Sequence, residues 1–169
     1  EQKQRNFDYY DPLTTGDSSL SACIQAIAAA ELGYVNKARQ YAWYAALMDL
    51  ANFGGNVQDG CHIASMGGTW MVIVYGLAGM RDYGGVLSFR PGLPARVEGV
   101  RFRLTVRGQL LEVDLDGPKG TATYLLREGS ELIIKHHSEA VRLTVGVPVS
   151  KKILRSARNT TAQAALSDD

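Results

Sequence analysis

The sequence predicts an α+β chain, with helices in the first half and an antiparallel β-sandwich in the second. Two observations carry this. Up to about residue 84 the apolar residues recur at helical spacing, among many alanines and between glycine stops. From there to residue 155 they alternate with charged residues in a period of two. The expected organisation is therefore a helical segment 1–84, a sandwich 85–155 and a flexible tail 156–169, "SARNTTAQAALSDD".

The first helix is read in "SSLSACIQAIAAAELG", with Leu20, Ile24, Ile27 and Leu32 near one face and Gly33 as its stop. Asp17 stands where an N-cap belongs, after Gly16, with Ser18 and Ser19 in the first turn. The second helix restarts after Asn36, carries Tyr41, Tyr44, Ala45 and Met48 on one side, and ends at Gly54-Gly55. The link Gly33–Val35 is short, so the two helices should be antiparallel neighbours. A polar loop leads to a third helix, Thr69 to Met80, apolar almost all round and so expected to be buried almost all round. In such an up-down-up series the first and third helices start at the same end. That brings "TTGDSS" and "HIASMGG" together, a candidate anion cradle of serines, a histidine and free N–H groups. The plainer reading, a capped helix beside a structural histidine, stays open on these residues alone.

In the second half, "VRFRLTVRGQLLEVDLDG" reads as a hairpin turning at Gly108-Gln109. That turn pairs Val106 with Leu111, Leu104 with Val113 and Phe102 with Leu115, and sets Arg103 against Asp114 and Arg101 against Asp116. "ATYLLREGSELIIKHH" reads as a second hairpin around Gly129-Ser130, flanked by "VLSFRP" and "AVRLTVG". Phe89, Phe102 and Tyr124 fit the inner face, which argues against an aromatic sugar-binding platform.

Composition excludes several classes. The 169 residues are 46% apolar, enough for a packed core, and the net charge of +1 provides no basic surplus for nucleic acid. No apolar run is long enough for a bilayer. Two cysteines, Cys23 and Cys61, are too few for a disulfide framework and fit a reducing compartment, here expected to be the cytoplasm. His136 and His137 alternate across a strand, so no metal pair is expected. Trp43 and Trp70 sit in helical patterns and are expected in the core, and Asp59 beside Gly60 reads as a turn residue.

Two long stretches, "YYDPLTTGDSSLSACIQAIAAAELGY" and "DGCHIASMGGTWMVIVYGLAGMR", resemble glycoside hydrolase family 65, covering Phe7 to about Arg81 closely. The resemblance implies the last helices of an (α/α)6 barrel followed by a C-terminal antiparallel β-sandwich. It also implies inverting phosphorolysis of an α-glucoside such as trehalose, maltose or kojibiose. In that chemistry a glutamic acid protonates the leaving oxygen, and inorganic phosphate attacks the opposite face to give β-glucose 1-phosphate. Phosphate is a co-substrate there, and no cofactor is implied. By the family's motifs Ser18, Ser19, His62 and Ser65 are the phosphate-binding candidates, with N–H groups near Gly67 and Gly68. Gly16 departs from the histidine that many members carry. No general-acid motif is found, so no catalytic residue is assigned in this chain. On this reading the isolated chain is inactive, its partners are a disaccharide and phosphate, and it self-associates or binds the rest of the barrel. The alternatives are a family 65 hydrolase using water and a non-catalytic structural or carbohydrate-binding module.

Overall fold

The computed structural model describes residues 1–94 and 97–153. The expected tail 156–169 lies outside the described residues. The chain divides into two compact units, one over residues 1–76 and one beginning at Leu77.

The first unit is helical. It comprises α1 (Gln2–Tyr10), a short 3-10 turn Asp11–Leu13, α2 (Ser21–Leu32), α3 (Val35–Ala46) and α4 (Ile63–Met71), which runs into a π-helical turn Val72–Leu77. Gly33 ends α2 in the left-handed conformation, φ 79°. Its N–H donates to the Ala30 carbonyl at 3.1 Å and the Tyr34 N–H to the Ala29 carbonyl at 2.8 Å, so the last turn's carbonyls are satisfied and α3 follows at once. Three expectations are corrected. First, α2 begins at Ser21 rather than beside Asp17, because Ser18 bends the chain into a turn: its Oγ accepts the Leu20 N–H at 3.3 Å. Second, α3 ends at Ala46 rather than at Gly54. The turns that follow it commit side chains to other segments: Asp49 accepts the His62 N–H and the Asn52 Oδ1 accepts the Val57 N–H. Third, α4 starts six residues earlier than Thr69, so Gly67 and Gly68 lie inside it.

The core of this unit is built from small residues. Ala22, Cys23, Ala26, Ala45 and Val72 form it, with Ile27, Tyr41 and Ala42 packed against them. Of the stripe expected to face inward, Leu20 and Ile24 are exposed, and the alanine face of α2 is buried instead. Small side chains let helix backbones approach closely, and that contact decides which face turns in. Trp43 and Trp70, expected in the core, are 65% and 45% exposed, and α4 also exposes Ile63 and Met66. The third helix is thus not buried all round within this unit. α1 and its 3-10 turn are held by Asp11, which is buried and accepts from Lys37 Nζ (2.6 Å), Tyr41 OH (2.9 Å) and Gln25 Nε2 (2.9 Å). Burial works to raise the Asp11 carboxyl, but these three donors outweigh it and hold it below the usual carboxylate range.

The second unit is a sandwich of two sheets. One has the order β2–β3–β4–β7, over Gly99–Val106, Gln109–Asp116, Thr121–Glu128 and Val149–Lys152. The other has the order β1–β5–β6, over Ser88–Phe89, Glu131–His136 and Glu139–Thr144. The expected first hairpin forms with its register moved by two. The turn is Arg107-Gly108, both at positive φ (50° and 74°) as a twisted two-residue turn demands. Val106 therefore faces Gln109, Leu104 faces Leu111, Phe102 faces Val113, Arg103 faces Glu112 and Arg101 faces Asp114. A shift of two keeps every residue on its expected face. The second expected hairpin does not form. β4 and β5 belong to different sheets, so Gly129-Ser130 carries the chain from one sheet to the other, and β5 pairs with β6 instead. β1 runs parallel to β5, so this sheet is mixed rather than wholly antiparallel.

Between the sheets lie Phe89, Leu111, Val113, Leu115, Tyr124, Leu126, Ile134 and Leu143, all essentially buried. Buried polar atoms need partners, and this core supplies them. His136 Nε2 lies 2.9 Å from the Lys152 carbonyl, which can only accept, so Nε2 carries the proton and Nδ1 accepts from Tyr124 OH at 2.7 Å. Burial pushes the Tyr124 phenol up, so it stays a donor. On the other face of the β2–β3–β4 ladder, Glu112 pairs with Arg127 and Arg103 at 2.9 Å and 2.8 Å. The two guanidiniums, Arg127 foremost, hold its carboxyl at about 2.

That pairing makes the sandwich acid-sensitive in a defined window. Glu112 has its folded value below its ordinary 4.5, so its contribution is complete above 4.5 and is lost as pH falls through about 2. Glu112→Gln should cost about 1–2 kcal/mol at neutral pH, the two guanidiniums being about half exposed to water, and should flatten the stability loss between these limits. Thermal unfolding at pH 7, 4 and 2.5 reads both effects.

Candidate functional site

The helical unit contains a cavity of about 350 Å³ lined by Gly16, Asp17, Ser18, Ser19, Tyr44, Met48, Gly54, Asn56 and His62. Its wall comes from three places in the chain: the loop before α2, the end of α3 with the turns after it, and the residue that precedes α4. Gly16 to Ser19 of "TTGDSS" therefore share this cavity with His62, whereas Thr14 and Thr15 do not line it.

Each element positions its side chain for a local reason. Gly16 has φ 76° with open space around it, so the loop turns there before the serines. Ser18 is exposed and spends its Oγ on the Leu20 N–H, while Ser19 follows it in the same turn. His62 precedes the first turn of α4, where its carbonyl accepts the Met66 N–H at 3.1 Å. Its own N–H donates to Asp49 Oδ2 at 3.0 Å, and its Nδ1 lies 2.5 Å from Asp49 Oδ1. The ring hydrogen bond from His62, reinforced by the His62 backbone N–H, holds the Asp49 carboxyl below its usual range against the opposing push of burial. Asn56 presents Oδ1 with no hydrogen-bond partner, its atom shielded from solvent.

Three of the expected residues stand elsewhere. Ser65 is buried in α4 with its Oγ unpartnered, and it does not line the cavity. Gly67 and Gly68 also lie off the wall and inside α4, where backbone N–H groups serve the helix itself. Gly68 has a packing duty: a Cβ there would sit 2.4 Å from Cys23 Sγ and 2.9 Å from Cys23 Cβ. Gly67 faces open space. The sequence reading missed Asp49, Tyr44, Met48, Gly54 and Asn56, and it gave Asp17 only a capping role. The one usable signal was the polar loop "GGNVQDG" beside a histidine; nothing in "LMDLAN" marks Asp49 as a partner for a residue thirteen positions on.

The arrangement offers hydroxyls, an imidazole and an amide around a small polar space, with one carboxylate, Asp17, on the same wall. Such a set can hold an oxyanion or the hydroxyls of a sugar.

Comparison with known proteins identifies the class. Residues 1–71 match the model of the glycosyl hydrolase family 65 central catalytic domain, and residues 80–143 match that of the family 65 C-terminal domain. The chain belongs to glycosyl hydrolase family 65 and carries the C-terminal part of its members. It is 45% identical over 150 residues to an uncharacterized glycosyl hydrolase of Mycobacterium leprae, covering 88% of this chain and 19% of that protein. It is 43% identical over 144 residues to an alpha,alpha-trehalose phosphorylase of Geobacillus stearothermophilus, covering 85% and 19%. A solved structure of a putative kojibiose phosphorylase from the human microbiome superposes with a TM-score of 0.81 at 26% identity, covering 92% of this chain and 23% of that one. The chain thus spans about a fifth of the length of the relatives it matches. No helix among the described residues is long and apolar enough to cross a membrane.

The two glycines of α4 should respond in opposite directions. Alanine is the better helix former by about 1 kcal/mol, and Gly67→Ala meets nothing, so it should raise the melting temperature. Gly68→Ala gains the same propensity but collides with Cys23, and overpacking costs about 1–3 kcal/mol, so its melting temperature should fall. Thermal melts of the two variants side by side check this.

Proposed function

We propose that this chain is part of a glycoside phosphorylase that cleaves a glucose disaccharide with inorganic phosphate, and that it supplies one side of the phosphate site. The observation that carries this reading is the shared cavity of Ser18, Ser19 and His62, in a family whose relatives include named disaccharide phosphorylases. Phosphate takes the place of the water in an inverting glycosidase, so the enzyme must hold an anion on the face opposite the leaving group. Hydroxyl and imidazole groups that hydrogen-bond hydrogen phosphate at that position lower the cost of bringing it to the anomeric carbon. Trehalose, maltose or kojibiose is the proposed class of substrate, with β-glucose 1-phosphate as product and no cofactor. We assign the general acid to the part of the protein outside this chain. The proposed compartment is the cytoplasm, on the two free cysteines, Cys23 and Cys61.

Asp17 on the same wall favours a second reading, a family hydrolase that uses water. A carboxylate opposes an anion and suits water or sugar hydroxyls. In the full-length protein, His62→Ala and the double change Ser18→Ala/Ser19→Ala should each raise the apparent KM for phosphate more than that for the disaccharide. A lost charge-assisted hydrogen bond of about 1.5–3 kcal/mol corresponds to roughly ten- to a hundredfold. Turnover independent of phosphate supports the hydrolase; an unmoved phosphate KM in both variants returns Ser18, Ser19 and His62 to a structural role.

The exposed apolar side chains of the helical unit, Trp43, Leu50, Ile63 and Trp70, suit helices that pack against more of a barrel. Alone, the chain should turn over no disaccharide and should self-associate through this surface. Light scattering across micromolar concentrations, with phosphorolysis and hydrolysis assays on the same preparation, reads both; an active, stable monomer contradicts both.

A further inference from the structure

Asp49 does not line the cavity, yet it makes two contacts to the residue that does. Oδ2 accepts the His62 backbone N–H at 3.0 Å, and Oδ1 lies 2.5 Å from His62 Nδ1. Both partners are largely shielded, with 13% of the Asp49 side chain and 22% of the His62 side chain exposed. The first contact fixes the chain at the start of α4. The second fixes the rotation of the ring about that anchor. An ionised carboxylate can only accept, so the hydrogen of that short contact belongs to Nδ1. Nε2 is then the ring nitrogen left for whatever fills the cavity; in the neutral ring it carries no hydrogen and accepts, so it can take the P–OH hydrogen of a hydrogen phosphate. The other ionisable groups on the cavity wall are Asp17 and Tyr44, and Asp49 is the group that engages the ring.

We infer that Asp49 is a positioning residue for the anion site: it sets the tautomer and orientation of His62 so that Nε2 accepts the hydroxyl hydrogen of the bound hydrogen phosphate. This rests on the phosphate reading above. Because the His62 hydrogen bonds keep Asp49 ionised below the ordinary carboxylate range, the clamp persists through the pH range of an ordinary assay. Asp49 acts through His62 and touches no substrate. A neutral amide in its place has one acceptor oxygen; if that oxygen keeps the His62 N–H, the NH2 faces Nδ1 and donates to it, which moves the ring proton to Nε2. Carboxylates that orient a metal-ligating imidazole in this way are worth about ten- to a hundredfold in affinity or activity, and the same scale is expected for an imidazole held toward phosphate.

The test uses the full-length protein labelled with ¹⁵N at histidine. In the neutral form a free histidine favours the proton on Nε2; His62 should instead carry it on Nδ1, seen in long-range ¹H–¹⁵N spectra. Asp49→Asn should move the His62 proton to Nε2, which then no longer accepts, and raise the phosphate KM about tenfold or more, with the disaccharide KM unmoved. Asp49→Glu, which restores the charge and both acceptors, should recover part of that loss. An Nε2 proton on wild-type His62, or an Asp49→Asn variant with its tautomer or its phosphate KM unchanged, overturns the inference. The wild-type spectrum decides the first of these even if Asp49→Asn does not fold. His62→Ala with an unchanged phosphate KM overturns the phosphate reading itself; the tautomer measurement separates that failure from a failure of Asp49 to orient the ring.

Discussion

The close approach of α2 and α4 is the constraint on which the helical unit depends. Gly68 has no side chain, and Cys23 occupies the room one would need. Ala22 and Ala26 of α2, with Ala45 of α3 and Val72 after α4, complete the core at this seam. Dispersion contacts are short-ranged, so small residues at this seam set how near the helices come. The consequence is functional. Only with α2 and α4 packed in this way do the loop before one and the start of the other border a common cavity. A methyl group at Gly68 would act at the far end of the same contact that places His62.

The site is organised around an imidazole whose ring is already spoken for on one side. Asp49 takes Nδ1 and the backbone N–H, which leaves a single nitrogen and a fixed direction. Preorganisation of this kind removes the cost of orienting the ring when the ligand arrives. The two serines are less committed: Ser18 holds its own turn, and its hydroxyl hydrogen remains available to a ligand while its oxygen accepts from Leu20. Asp17 adds a carboxylate to the same wall, so the balance of donors and acceptors, rather than net charge, governs what the cavity holds.

Much of the fold was legible because periodicity reports faces. Alternation in residues 100–116 gave the strands and their inner side correctly, and a turn error of one position on each strand left that side intact. The β4–β5 connection was misread because Gly-Ser between two alternating runs looks the same whether the chain doubles back or changes sheets. In the helices the sequence ranked large aliphatic residues as core, whereas Ala22, Ala26 and Ala29 are inside and Ile24 is outside. A helix that must meet neighbours on several sides carries more than one apolar face, and hydropathy cannot say which one a given unit buries. Gly67-Gly68 read as a break before a helix because glycine weakens helices; the packing against Cys23 reverses that meaning. At the site, Ser18, Ser19 and His62 were visible as motif residues. Asp49 was invisible because its role arises from folding alone.

The central claim is that the cavity bordered by Ser18, Ser19 and His62 holds an inorganic oxyanion. The most direct measurement is a crystal structure of the full-length protein soaked in arsenate, a phosphate analogue, with data collected at the arsenic edge. The account predicts an anomalous peak within hydrogen-bonding distance of His62 Nε2 and at least one of the two serine hydroxyls. A fully occupied cavity containing sugar or water, with the arsenic peak elsewhere, would contradict it.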